Sequence, residues 1–326
     1  MIEEVATNIY RIGVPLPNNP LKETNSYFIR GSGTDLLIDT GFRRSECRDA
    51  LRTGLLELGA DTERLDVAVT HVHADHSGLA PEFVGTNRKI YLSKPDIMYL
   101  DAIFSGHHIQ MLHSRYLSEG FPENLVKRIE KTLPSNIYSI EFKDQRITSL
   151  DNGERISVGS YVLQTVLVPG HTPGNTMFWL EKQGIMFTGD HVLFDITPNI
   201  PVYADVDDSL GNYLDSLRNV MNFPAALALP GHRKPGSYKE RVAELLGHHQ
   251  RRIAEVKDII CSNPGLCAYE ITPLMSWNIH AKDWESFPNR QKWFAVGECL
   301  SHLDYLRKNG LITRKKQNDV WKYNYI

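Results

Sequence analysis

Long apolar runs are missing from this chain of 326 residues. The best of them, such as 225–229, stop at a proline or a charge, far short of the roughly 18 residues that a membrane helix needs, so no membrane span is expected. Cysteine is scarce as well. The four present (Cys47, Cys261, Cys267, Cys299) include no CxxC pair, which argues against a disulfide scaffold or a thiolate zinc finger and suits a reducing compartment. The amino terminus, Met1-Ile2-Glu3-Glu4, has neither the basic start nor the apolar segment of a secretory signal; a cytoplasmic protein is expected. An excess of one charge is also lacking, since the net charge is −3. It is unevenly spread, however: residues 301–326 hold six Lys and Arg against two Asp, so that segment carries +4 and the rest −7. An acidic body attracts polyanions poorly, and any nucleic-acid contact would have to come from the short basic tail. Internal repeats and low-complexity tracts are absent. What is there is ordinary: 41% hydrophobic, 23% charged and 10% aromatic residues, enough to build a core, at a length with room for two domains.

Through residue 235 the chain reads as short apolar runs closed by turns or polar residues: 27–30, 36–39, 67–70, 89–92, 162–168, 177–180, 185–188 and 227–229. Helical patterns lie between them, at 45–58 and 208–223. This alternation predicts an α/β layered domain. Residues 95–134 turn helical and rich in His, Met and Tyr, with Gly106 and Gly120 as breaks, and read as a helical insertion. From 236 on the texture changes. Ser237 and Glu240 form a capping box ahead of a stripe Val242, Leu245, Leu246, His249, Ile253, Val256, Ile260. A second helix is predicted over Asn289–Lys308, ended by Gly310. A hairpin of 311–316 and 320–326 follows around Gln317, Asn318 and Asp319, and helix plus basic ribbon has the outline of a winged helix.

The sharpest feature is His71-Val-His73-Ala-Asp75-His76, directly after the apolar run that ends near Thr70. An HxHxDH string would arise in about one shuffled chain in a thousand of this composition. Imidazole and carboxylate are ligands for a borderline divalent cation, and alternate residues on a strand end bring His71 and His73 to one side, leaving Asp75 and His76 for a second position. Three more apolar runs deliver a ligand-type residue directly after a glycine: Gly170-His171, Gly189-Asp190 and Gly231-His232. Glycine allows the close backbone approach that several strand ends meeting at one centre require.

With HxHxDH at 71–76, PGHTPG at 169–174, TGD at 188–190 and PGH at 230–232, the sequence resembles the metallo-β-lactamase superfamily of binuclear hydrolases. The resemblance covers about 1–235 and implies an αββα sandwich of two mixed sheets with the site at one edge. It also implies that His71, His73 and His171 hold one metal ion, that Asp75, His76 and His232 hold the other, and that Asp190 bridges them. The tail from about 237 resembles, with no single defining motif, the winged-helix extension of the lactamase-beta-2-like branch. The expected organisation is therefore a catalytic domain over 1–235, with the insertion at about 95–134, and a winged-helix-like domain over 236–326. Class B β-lactamases carry a Cys where this chain has Asp190, or no bridging carboxylate, which argues against antibiotic hydrolysis. Flavodiiron oxygen reductases carry Glu in place of His73 and a flavodoxin-like segment that this chain lacks.

Two divalent ions, expected to be Zn with Mn or Fe accepting the same set, would hold a bridging water whose pKa falls toward roughly 7, supplying hydroxide at neutral pH. That hydroxide would attack the carbonyl of a small ester, thioester or lactone, with Asp75 as both ligand and proton acceptor. The rival is a metal-dependent endoribonuclease that holds RNA on Arg314, Lys315, Lys316 and Lys322 with Trp321 and Tyr323 stacking bases. A binding module with a vestigial site and a mononuclear iron oxygenase are further alternatives, and the tail could instead pack on the catalytic domain or form a homodimer. Asp39 is a candidate for orienting a ligand imidazole. Candidates for the acid that protonates the leaving group are His107, His108, His113 and Tyr203; His191 is expected to be structural. Met98, Tyr99, Phe104, Met111 and Tyr116 form either an acyl pocket or a core face.

Overall fold

The computed structural model describes residues 1–130, 145–277 and 282–326. They form two compact units, each assembled from separate stretches of chain. The first takes the described residues of Met1–Asp101, Ser135–Pro198 and Ser216–Val242. In it, β1 (Ile2–Ala6), β2 (Ile9–Pro15), β3 (Glu23–Ile29), β4 (Asp35–Ile38), β5 (Leu65–Ala68), β6 (Ile90–Ser93) and β7 (Ile147–Leu150) lie side by side in chain order. Pairing is antiparallel from β1 to β4 and parallel from β4 to β7. A second sheet has β8 (Arg155–Val158), β9 (Tyr161–Leu167), β10 (Thr176–Leu180), β11 (Ile185–Gly189) and β12 (Leu227–Pro230), in the order β12-β11-β10-β9-β8. Only β11 and β12 are parallel there.

Between the sheets lies one apolar core: Ile9, Tyr27, Ile29, Leu36 and Ile38 from the first meet Leu163, Phe178, Ile185, Phe187 and Leu229 from the second. β4, β5, β10 and β11 are buried along their whole length, which explains why they read as continuous apolar runs rather than alternating ones. The exception proves consistent with that burial. Asp66 in β5 is buried, and its carboxylate accepts from the Arg88 guanidinium and the Lys89 backbone N–H, each at 2.8 Å.

The helices in chain order are α1 (Ser45–Glu57), α2 (Ala74–Ser77), α3 (Ala80–Phe83), α4 (Lys94–Phe104), α5 (His107–Ser118), α6 (Glu123–Glu130), α7 (Ser209–Val220), α8 (Tyr238–Ser262), α9 (Ala268–Ile271) and α10 (Asn289–Lys308). α4, α5 and α6 cover the expected insertion and break at Gly106 and Gly120, both at positive φ; residues 131–134 of that insertion lie outside the described residues. Reading along the chain assigns the insertion to 1–235, whereas contacts group its residues from Ala102 on with Asn199–Asp215 and Ala243–Ile326 in the second unit. Tyr116, Phe121 and Val126 share a core there with Val256, Ile260, Val296, Leu300, Leu303, Ile312 and Tyr323. The Tyr116 ring lies parallel to Trp293, 3.7 Å between centroids. β13 (Ile312–Gln317) and β14 (Val320–Tyr325) form the hairpin. Its loop is the two residues Asn318 and Asp319, both at positive φ, the tight turn that matches strand twist.

Candidate metal centre

Five of the seven donors named from the sequence follow the carboxyl end of a strand of the first unit, and Asp75 and His76 lie in α2, directly after His73. β5 delivers His71 and His73, β9 delivers His171, β11 delivers Asp190 and β12 delivers His232, while β4 delivers Asp39. β9, β11 and β12 run in one direction, because each antiparallel step at β10 is undone by the next. Their ends therefore emerge at one edge, and the donors converge there.

Three overlapping groups have donor atoms all within 4.8 Å of one another: His71, His73 and His171; His71, His76 and Asp190; and Asp75, His76 and His232. His73 Nδ1 stands 3.0 Å from both His71 Nε2 and His171 Nε2. His76 Nε2 is 3.1 Å from His232 Nε2. Asp190 spans the set, with Oδ1 3.5 Å from His76 Nε2 and Oδ2 3.5 Å from His232 Nε2 and 3.7 Å from His171 Nε2. Asp75 Oδ2 approaches His232 Nε2 at 3.5 Å.

The surroundings fix which ring nitrogen faces inward. His232 Nδ1 is 2.8 Å from the Glu23 carbonyl oxygen, which can only accept, so Nδ1 carries the proton and Nε2 presents a lone pair. The same holds for His76, whose Nδ1 donates to Asp39 Oδ2 at 2.8 Å. Thr70 Oγ1 already donates to Asp39 Oδ2, so it accepts from His71 Nδ1 at 3.1 Å. In their neutral forms three imidazoles thus aim Nε2 lone pairs at the centre. Converging lone pairs in a buried site repel, and an unsatisfied buried acceptor costs about 1–3 kcal/mol. A divalent cation would supply what they lack, and Asp190 Oδ1, which has no hydrogen-bond partner, points the same way. The residues fit a metal.

The carboxylates favour positive charge at this centre: against burial, Asp190 and Asp39 raise His76, and Asp190 and Asp75 raise His232 well above the usual histidine range, so a cation bound there displaces those protons. Burial, reinforced by its imidazole neighbours, holds His71 well below the usual histidine range and pushes His73 down to about 3. Burial disfavours ionised Asp75, yet His76 and His232 outweigh it and hold its carboxyl at about 2. Asp190 is likewise pulled low against its burial by His232 and His76. Both carboxylates are ionised at neutral pH.

Two glycines are forced by crowding. A Cβ on Gly231 would stand 2.5 Å from Asp190 Oδ1 and 2.7 Å from His76 Cε1, and one on Gly189, at φ +49, would stand 2.8 Å from the Thr70 Cβ. Asp39 itself adopts φ +58, a left-handed conformation that L residues seldom take and that clusters where function demands it. In return its Oδ1 accepts from Thr70 N and its Oδ2 from Thr70 Oγ1 and His76.

Several positioning groups left no mark in the sequence. Asn25, buried in β3, donates through Nδ2 to the Pro230 and Arg233 carbonyls, and its backbone N–H donates to the Gly231 carbonyl, so β3 holds the His232 turn. Asp96, fully buried, accepts from the Val72 and Gly174 backbone N–H groups and the Thr172 hydroxyl. Burial pushes its carboxyl up to about 7 against the pull of those donors. Both contacts join segments far apart in the chain, where no local pattern reports them.

The other candidates divide. His191 is fully buried beside Asp190, and burial with His171 holds it at about 3. His107, His108, His113 and Tyr203 belong to the second unit; there His107 Nε2 is 2.9 Å from Asp205 Oδ2, and the buried His108 ring lies 6.2 Å from that of Tyr203. The Met98 to Tyr116 stretch does not form one apolar lining, because Tyr99 and Tyr116 are buried while Met98, Phe104 and Met111 are 65%, 50% and 45% exposed.

Comparison with known proteins converges on the same edge. A family model described as the metallo-beta-lactamase superfamily matches residues 20–232, which contains all seven donors. A lactamase-like protein of Aspergillus niger is 25% identical over 337 residues, covering 91% of this chain and 88% of its own length. An atrochrysone carboxyl ACP thioesterase of Emericella nidulans is 26% identical over 231 residues, covering 71% of this chain and 57% of that protein. Among solved structures, a metallo-beta-lactamase family protein of Thermus thermophilus superposes with a TM-score of 0.81 at 27% identity, covering 99% of this chain and all of that one.

Proposed function

The chain belongs to the metallo-beta-lactamase superfamily, and from that premise we propose that it is a binuclear metal-dependent hydrolase of a small ester, thioester or lactone. His71, His73 and His171 would hold one ion and Asp75, His76 and His232 the other, with the Asp190 carboxylate beside His171, His76 and His232. The observation that carries this reading is the inward polarity of the imidazoles, set by Glu23 O, Asp39 and Thr70. Zinc suits this nitrogen-rich set, and manganese or iron accept it too. Bound ions supply a Lewis acid for the carbonyl and lower the pKa of water from 15.7 toward roughly 7.

The chain's own groups do the rest. Asp75, ionised and with its side chain 14% exposed, is the carboxylate placed to receive a proton at Oδ. Asp39 keeps His76 in the tautomer that presents Nε2. The name of the Emericella relative supports the thioester within the proposed class. A reducing compartment suits four free cysteines, and no described helix is long and apolar enough to cross a membrane.

The basic ribbon favours packing over RNA. Arg314 pairs with buried Glu119 and lies 4.2 Å over the Trp321 ring; Lys316 pairs with Asp319 and Lys322 with Glu270. Among the described residues, Lys315 alone of the four lacks an ion pair. With Trp321 covered by a guanidinium, the surface offers one free cation where a phosphate track needs several. A hydrolysis panel of acyl thioesters, lactones, aryl esters, phosphodiesters and RNA, run on metal-stripped and reloaded protein, tests the reading. Metal-dependent turnover confined to the carbonyl substrates is expected; turnover of RNA alone would replace it.

A further inference from the structure

The seven donors are held by two kinds of support, and one of them has no counterpart in the motif. His76 and His232 are steadied through their own rings. His73 and His171, by contrast, meet at 3.0 Å although 98 positions separate them, so the spacing of their two loops must be set by something that touches both. Within the first unit, Asp96 touches both. Its Oδ2 accepts from Val72 N, the residue between His71 and His73, and from Thr172 Oγ1, the residue after His171, each at 3.0 Å. Its Oδ1 accepts from Gly174 N at 2.7 Å. Ser93 Oγ, one turn earlier, donates to the Gly174 carbonyl at 2.6 Å and closes the same joint. Gly174 has no room for a side chain, since a Cβ would stand 2.2 Å from Ser93 Oγ and 2.5 Å from Asp96 N.

We infer that Asp96 is a positioning residue, a buried carboxylate that ties the loop of His71 and His73 to the loop of His171 and so sets the geometry of the three-histidine site. This rests on the metal centre proposed above. A carboxylate suits the task because all three partners are donors and two diverge from one oxygen. An amide in its place must turn its NH2 toward a backbone N–H whichever way it is built, either toward Gly174 N, which costs one of the two bonds to the His171 loop, or toward Val72 N, which releases the loop of His71 and His73. Asp75, His76 and His232 have supports of their own: Thr24 Oγ1 donates to the Asp75 carbonyl, Thr40 Oγ1 to the His76 carbonyl, and the two ring Nδ1 atoms to Asp39 and the Glu23 carbonyl.

The test compares Asp96→Asn and Thr172→Val with Asp66→Asn, whose carboxylate on β5 accepts from Arg88 and Lys89 N and touches neither donor loop among the described residues. Zinc affinity at each of the two ions is measured by chelator competition, the visible spectrum by cobalt substitution, and the melting temperature on metal-free protein. In Asp96→Asn one ion is expected to weaken about 10- to 100-fold, the range for outer-shell ligand supports, with a changed cobalt spectrum and the second ion unaltered. Thr172→Val is expected to shift the same ion less, which keeps the test alive if Asp96→Asn fails to fold. Asp66→Asn is expected to lower the melting temperature with both affinities intact. Unchanged affinities and spectrum in the folded Asp96 or Thr172 variant, or equal weakening of both ions, would overturn the inference while leaving the metal centre standing. Wild-type protein that binds no zinc would instead remove the metal centre itself, and the inference with it.

Discussion

At the residue scale, the gathering of the seven candidate donors was legible because a metal site would need chemically rare side chains in rigid spacing, and HxHxDH concentrates four of them in six residues. Replacing His73 or Asp190 by Ala is expected to reduce hydrolysis below about 1% of wild type and to lower bound metal with little loss of secondary structure by circular dichroism, since each opens a site rather than a core. Retained turnover in either variant would contradict the assignment. Groups that act through backbone atoms were not legible: Asn25 reaches Pro230 across 205 positions, and Asp96 has the look of an ordinary helix-start acid. Acid sensitivity also belongs to single residues. In the second unit burial holds His302 at about 4 and, with His302 adding to it, His249 at about 2. Unfolded histidine titrates near 6.5, so the unfolded chain binds the extra protons; the stabilisation is complete above about pH 6.5 and is lost as the pH falls toward 4. His302 Nε2 has no hydrogen-bond partner, and His302→Leu should flatten the fall in melting temperature between pH 7 and 4.5. An equally steep fall in the variant would sink that explanation.

At the element scale, runs that are buried on both faces announced themselves, and the helix Asn289–Lys308 was legible residue for residue because its apolar stripe is unbroken. Strands β1, β2, β7 and β8 were not, since they are short or carry polar residues on an exposed face. The hairpin was expected around three turn residues and uses two, because both Asn318 and Asp319 accept left-handed backbone. Turn chemistry also decides the site. Gly231→Ala, whose methyl would press on Asp190 and His76, is expected to lose most metal and activity at an unchanged fold, read by metal analysis beside circular dichroism. In the ribbon, the Tyr323 hydroxyl donates to buried Glu119. Tyr323→Phe should destabilise the protein by about 1–3 kcal/mol in urea unfolding, without touching the metal content; a neutral substitution would mean that Glu119 is satisfied by Arg115 and Arg314 alone.

At the scale of the whole molecule, charge bookkeeping on the sequence pointed to a basic tail, but not to the pairing of three of its cations, Arg314, Lys316 and Lys322, with Glu119, Asp319 and Glu270. The partition of the chain was equally hidden: composition marks 95–134 as an insertion, but not that the described residues of Ala102–Pro134, with Asn199–Asp215, group with Ala243–Ile326. The proposed metal centre depends on segments at the strand ends of two sheets presenting lone pairs to a common point. Metal analysis of the native protein, repeated on His171→Ala and His232→Ala, tests that most directly. The expected result is two divalent ions per chain in the wild type and about one in each variant, with the two variants losing different ions by cobalt spectroscopy. Fewer than one ion per chain in the wild type, or two in both variants, would contradict it.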